Sequence, residues 1–222
     1  MRPTQAGYLR HIALGDLAEQ VGEGTLVRLP TAVGAFVTEE DVLAEVWPRS
    51  AAGHAVGAIR RRVAIGTERD LQQDVLYGVR QLAEIAMKAL SPGVNDPFTA
   101  ITCVDRLGSA LCRLARRDVP SPCRYDEHKR LRIVAPPSTF PGIVDAAFNQ
   151  IRQYSRSSTA VAIRLLDTIA AIAAAAHRPE DRNALRRHAG MIARGAREDL
   201  PEAGDRQAVE ERYEASLRAL GG

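Results

Sequence analysis

The sequence predicts an α+β fold, a small β-rich N-terminal module followed by an antiparallel α-helical bundle. Three observations lead there. Residues 6–48 consist of short apolar runs broken by glycine and proline. Residues 71–89 repeat apolar side chains at helical spacing. From about residue 142 onward, helical stretches follow one another with only short turns between them, which favours antiparallel neighbours.

The first segment, Gly7–Ile12, alternates and reads as a strand. Leu14–Val21 is a helical turn or two, closed by Gly22 and Gly24. Thr25–Leu29 is a strand stopped by Pro30, and Ala35–Val37 and Val42–Trp47 are two more around an acidic turn. A helix over Thr38–Trp47, with Thr38 as its cap, is the competing reading of that last stretch. Ala51–Arg62 is a weakly patterned helix that leads into the apolar Val63–Ile65. The reading therefore sets a β-rich module at 1–66 and a helical bundle at 67–222, with an irregular insertion at 118–140.

The bundle opens with the clearest helix. Leu71, Val75, Val79, Leu82, Ile85, Ala86 and Ala89 define one face, while Arg80, Glu84 and Lys88 pair charges four apart on another. Ser91-Pro92-Gly93 ends it. Asp96 and Pro97 then supply an N-cap and a first-turn proline for the next helix, whose buried stripe is Val104, Leu107, Leu111 and Leu114. Residues 118–137 hold four prolines and one strand-like run, Leu131–Val134. Helices are expected at 142–154, 158–176, 180–198 and 205–220.

Composition excludes several classes. Hydrophobic residues make up 45% of the 222 and charged residues 26%, so the chain is globular rather than disordered. Net charge is only +3, and 28 of the 30 basic residues are arginine, with no basic tail or recognised nucleic-acid motif. Cys103, Cys112 and Cys123 have no metal-ligand spacing and read as reduced thiols, which places the chain in a cytosol. The longest apolar run, Ile169–Ala176, is eight residues. A bilayer needs roughly 20. With no apolar leader, a soluble chain is expected. His11, His54, His128, His177 and His188 are scattered, and phosphate-loop, nucleophile-elbow and dinucleotide motifs are absent, so no metal and no cofactor are expected.

One long segment carries a resemblance. It comprises Ile65-Gly66-Thr67-Glu68-Arg69, Gln73-Asp74, Gly78, Gln81-Leu82, Glu84-Ile85-Ala86 and the run from Ala89 to Ala100. Upstream Gly7-Tyr8, Gly34–Val37 and Val46-Trp47-Pro48 go with it, as does Ala147–Tyr154 downstream. This pattern resembles a bacterial family of predicted membrane proteins, the domain-of-unknown-function family 2254. The likeness covers most of the chain and weakens after about residue 175. Members of that family typically carry several N-terminal transmembrane helices ahead of this region, and this chain shows none. The resemblance therefore implies the cytoplasmic soluble region of a membrane protein, tethered through a missing transmembrane part. It implies no catalytic residues.

The candidate ligand site is the Ser91–Thr99 loop. Ser91, Asn95, Asp96 and Thr99 stand at the open end of a helix hairpin, where free amides and the positive end of the helix dipole suit a small anionic ligand. Arg69, Asp74, Gln81 and Glu84 are expected near it, the last three along one helix face. The plainer account is a stiff, self-capped turn beside a solvated face. The functional expectation is a regulatory, ligand-sensing or assembly module that forms a homo-oligomer. The alternative is an enzyme using Asp96 or Glu84 as general base. Arg187, Arg194 and Arg197 share a helix face that suits anionic headgroups if the parent protein sits at a membrane, and solvated surface otherwise.

Overall fold

The computed structural model, which describes residues 1–221, confirms the α+β class. The chain divides into two units, Met1–Gly78 with Val119–Ser138 and Val79–Asp118 with Thr139–Gly222.

The first unit holds seven strands in two sheets. Strand β1 (Gly7–Ile12) lies between β3 (Phe36–Val37) and β5 (Val63–Gly66), antiparallel to both. The second sheet runs β4 (Glu45–Trp47), β2 (Leu26–Arg28), β7 (Leu131–Val134), β6 (Cys123–Tyr125). Its β2–β7 pair is parallel, Val27 opposite Ile133, so this pairing draws residues 119–138 into the unit that the N-terminal strands build. The sequence left that stretch as an irregular insertion in the bundle. A strand of four residues between proline-rich flanks gives no local sign of a partner a hundred residues earlier. Helices α1 (Leu14–Gln20) and α2 (Ala52–Arg62) complete the unit. Its core is Leu9, Leu17, Val21, Val27, Leu29, Leu43, Ile59 and Ile133, all buried. Thr38–Asp41 is a turn, not a helix start: the Thr38 amide donates to the Asp41 carboxylate at 2.6 Å.

A charge network fastens the long connection. Asp126 accepts the amides of His128 and Arg130 and the guanidinium Nε of both Arg130 and buried Arg132. Burial alone would raise its pKa, but these donors hold it down at about 2. Unfolded, an aspartate titrates near ~3.9. The folded value is depressed, so this stabilisation is present above that pH and is lost as pH falls from about 4 to about 2. An Asp126→Asn variant should melt lower than wild type at neutral pH, and the gap should close in that acid window, as read by circular dichroism.

The second unit is helical. Helix α3 (Val75–Ala89) begins at the end of the first unit and continues here, followed by α4 (Pro97–Ala115), α5 (Phe140–Tyr154), α6 (Thr159–Ala173), α7 (Pro179–Asp199) and α8 (Ala203–Ala219). The periodic residues Leu107, Leu111, Ile143, Ile151, Leu165, Ile169, Leu185 and Ile192 of α4 to α7 are buried as their spacing predicts, while Leu114 of the expected α4 stripe is only half-buried. A Cβ on Gly108 of α4 would lie 2.5 Å from Thr168 of α6, so those helices meet at van der Waals distance through a bare backbone. The inward face of α3 is rotated from the predicted one. Val79, Ala83, Ala86 and Ala89 are buried while Leu71, Val75 and Ile85 are exposed, and the helix starts at Val75 because Asp74 caps it. Val79 and the alanines that follow it at steps of four, three and three form the real stripe, and larger apolar neighbours mask it in the sequence.

Candidate functional site

The structure places the expected site residues in two groups. Arg69 and Asp74 belong to the first unit and hold each other. The Arg69 guanidinium donates to Asp74 Oδ2 through Nε at 2.7 Å, with a terminal nitrogen 2.6 Å away, and stacks 5.1 Å over the Tyr77 ring. Asp74 Oδ1 accepts the Tyr77 amide at 3.0 Å. Asp74 is only 4% exposed. Its carboxylate lies over Gly34, where a Cβ would meet Oδ2 at 2.1 Å.

Ser91, Asn95, Asp96 and Thr99 belong to the second unit and close the α3–α4 turn. Ser91 Oγ donates to the Lys88 carbonyl at 2.7 Å, and the Asn95 amide donates to the Ser91 carbonyl at 2.9 Å. Asn95 takes a left-handed backbone, φ 47°, which asparagine tolerates better than most residues. Asp96 caps α4, accepting the amides of Phe98 and Thr99 and the Thr99 hydroxyl. Those donors, the Thr99 hydroxyl foremost, hold its carboxyl below the usual carboxylate range. A carboxylate so held is a weaker base than a free one. The turn also presents Val94 and Phe98 to solvent, Phe98 at 79%.

Gln81 and Glu84 are exposed on α3. Glu84 pairs with Lys88 at 2.6 Å, as their four-residue spacing predicts. It also lines a groove of about 560 Å³ between α3 and α5. Arg80 and Met87 of α3 share that lining with Asp145, Asn149 and Gln150 of α5. Two carboxylates, a guanidinium and two carboxamides thus converge on one concavity, a polar set of the kind that fixes the orientation of a small ligand.

Asp145 is held from behind. His188 of α7, fully buried, lies with Nε2 2.7 Å from Asp145 Oδ1, and Arg187 donates to the same oxygen at 2.6 Å. No donor among the described residues reaches Asp145 Oδ2. Burial pushes the His188 pKa down, against the pull of Asp145. His188 Nδ1 is buried without a partner. A bare ring nitrogen with a lone pair is cheaper to bury than an unpaired N–H donor, so the ring is neutral and donates from Nε2. Phe148 meets its ring edge-on, with centroids 5.9 Å apart. The imidazole is sealed in the core. It positions Asp145 and does not itself line the groove.

Reading the sequence alone missed Asp145, Asn149, Gln150 and His188 as a set. The signal available was the segment Ala147–Tyr154, which contains two of them, and the four-residue spacing of Asp145 and Asn149 on one helix face. Among the described residues no helix is long and apolar enough to cross a membrane.

Comparison with known proteins now bears on this geometry. A profile of the family described as "Predicted membrane protein (DUF2254)" matches residues 1–171. An uncharacterized protein of Mycobacterium tuberculosis (strain ATCC 25618 / H37Rv) and another of Mycobacterium bovis are each 34% identical to this chain over 210 residues. The match covers 92% of this chain and 40% of each relative, so the chain spans about two fifths of their length. No solved structure matches it.

Proposed function

Because the chain belongs to the predicted membrane protein family DUF2254, we propose that it is an extramembrane regulatory region, on the cytoplasmic face, that senses a small polar ligand in the groove between α3 and α5. The observation that carries this reading is the convergence of Arg80, Glu84, Asp145, Asn149 and Gln150 on one concavity, with Asp145 fixed from behind by His188. A free carboxylate oxygen beside two carboxamides favours a ligand with hydrogen-bond donors or a cationic group. Catalysis is less well served: the histidine behind Asp145 is sealed away from the groove, the Asp96 carboxylate is committed to its own helix, and Glu84, the other candidate base, is exposed and paired with Lys88. Recognition is the better match, with the response passed to the rest of the longer protein or to a second copy of the chain.

Native mass spectrometry of the purified chain tests this. Wild type is expected to carry a small molecule that Gln150→Ala/Arg80→Ala loses and Asp96→Ala keeps. Both changes fall on exposed side chains, so the fold should survive, and the charge-state envelope reports it. Loss in Asp96→Ala alone would return the site to the Ser91–Thr99 loop. A ligand-free oligomer in all three would overturn sensing in favour of assembly.

A further inference from the structure

Helices α5 and α7 run parallel and are tied by a ladder of charged residues with a constant offset. Asp145 of α5 pairs with Arg187 of α7 at 2.6 Å, 42 residues on. Arg156, just past the end of α5, pairs with Glu198, again 42 residues on, and its Nε lies 2.7 Å from Asp199. Both rungs join opposite charges. The same offset between them sets Arg152 opposite Arg194, two guanidiniums on one rung.

Among the described residues neither arginine of this rung has an ion-paired carboxylate: Asp145, whose charge reaches Arg152, is paired with Arg187, and Glu198, which lines the same pocket, is paired with Arg156. No ion pair among the described residues reaches Arg152 or Arg194, whereas Arg156, Arg164, Arg187 and Arg197 each have a carboxylate. Arg152 donates once, to the Asn149 carboxamide at 3.1 Å, and its Nε is buried with no acceptor. A buried charged donor without a partner is costly, as is a like-charge pair beside it. Burial first, then Arg187 and Arg194, push the Arg152 pKa below the ordinary arginine value. Around this rung is a pocket of about 110 Å³ lined by Arg152, Arg156, Arg194, Met191, Gly195 and Glu198. Gly195 leaves room for the Arg156 stem: a Cβ there would stand 3.4 Å from Arg156 Cγ. A small anion bridging the rung would supply the missing acceptor for Arg152 Nε and cancel the repulsion. The pocket has the scale of one tetrahedral oxyanion, and guanidiniums are the side chains best matched to its oxygens.

We propose that the Arg152–Arg194 rung between α5 and α7 is a phosphate-binding site, taking either a free phosphate group or the phosphate of a membrane lipid headgroup. It is separate from the α3–α5 groove in the residues that make it.

Titration calorimetry with inorganic phosphate tests the first source. Co-sedimentation with phosphatidylcholine vesicles, with and without phosphatidylglycerol, tests the second. Arg194→Gln is the diagnostic variant because Arg194 is exposed and lacks a partner. Arg197→Gln, which removes the same charge from a paired residue on the same helix, is the control. Saturable binding that weakens about tenfold or more in Arg194→Gln and stays near wild type in Arg197→Gln is expected. Phosphate binding in solution identifies a free anion. Sedimentation only with phosphatidylglycerol identifies a headgroup. Equal weakening in both variants would reduce the effect to surface charge and overturn the site, as would binding to neither probe. Gln150→Ala should leave phosphate binding unchanged, so failure of the groove and failure of this site are told apart.

Discussion

A Gly34→Ala variant is expected to lower the stability of the first unit by about 3 kcal/mol or more, a fall of over about 10 °C in its melting transition. Two effects add. Gly34 sits at φ +89°, a backbone region that an L-residue occupies only with strain of about 1–3 kcal/mol. The new methyl would also lie 2.1 Å from Asp74 Oδ2 and 2.5 Å from its Cγ, far inside contact distance. Asp74 must then move, and with it go its pairing to Arg69 and its cap on the Tyr77 amide. Disturbing one partner of a buried ion pair leaves the other charge uncompensated. A double-mutant cycle isolates the second effect. In an Asp74→Ala background the clash is gone, so Gly34→Ala should cost only its backbone strain, and the double variant should lose less than the sum of the two single losses. Full additivity, read from calorimetric or circular-dichroism melts of the four proteins, would mean that the two residues do not meet as described.

That contact set joins Gly34 to the Arg69–Asp74 segment although thirty-odd residues separate them in the sequence. Arg69 and Asp74 look like site residues because they stand close in sequence to the α3–α4 hairpin that carries the Ser91–Thr99 loop. Folded, they are engaged with each other, with a tyrosine and with a glycine. Local signals were legible where the responsible chemistry is local. Asp96 and Pro97 mark the start of α4 because a cap and a first-turn proline act within three residues, and the structure shows both. The stripes of α4 to α7 were legible because large side chains mark them.

The rest depends on pairings between distant segments. The β2–β7 pair joins Val27 to Ile133, and nothing in either short strand specifies the other. The α3–α5 groove needs Glu84 and Asp145 from helices separated by α4 and the β6–β7 segment. Glu84 stands out from its own helix face, whereas Asp145 and Asn149 gain meaning only once α3 and α5 are set side by side. His188 looked like one of five scattered histidines. It becomes a defined group only when Phe148 and Asp145 surround it. The Arg152–Arg194 rung is the same kind of feature. The sequence grouped Arg194 with Arg187 and Arg197 by helical spacing, but the residue that faces it lies 42 positions earlier.

The pH dependence of stability should carry the signature of His188. Its folded pKa lies below its unfolded value because burial disfavours the charged ring, so the unfolded chain binds the proton more tightly. Stability from this residue is therefore complete above the unfolded value, near ~6.5, and is lost as pH falls below it. The slope for one proton cannot exceed about 1.4 kcal/mol per pH unit. A His188→Gln variant keeps a side-chain donor for Asp145 and has nothing to titrate. Urea unfolding at a series of pH values should show wild type weakening as pH falls below about 6.5 while the variant stays flatter. The difference between the two slopes removes the other histidines, which are common to both proteins. Parallel slopes would mean that His188 takes up its proton equally in the folded and the unfolded chain, contrary to the unpartnered Nδ1 and the sealed pocket around it.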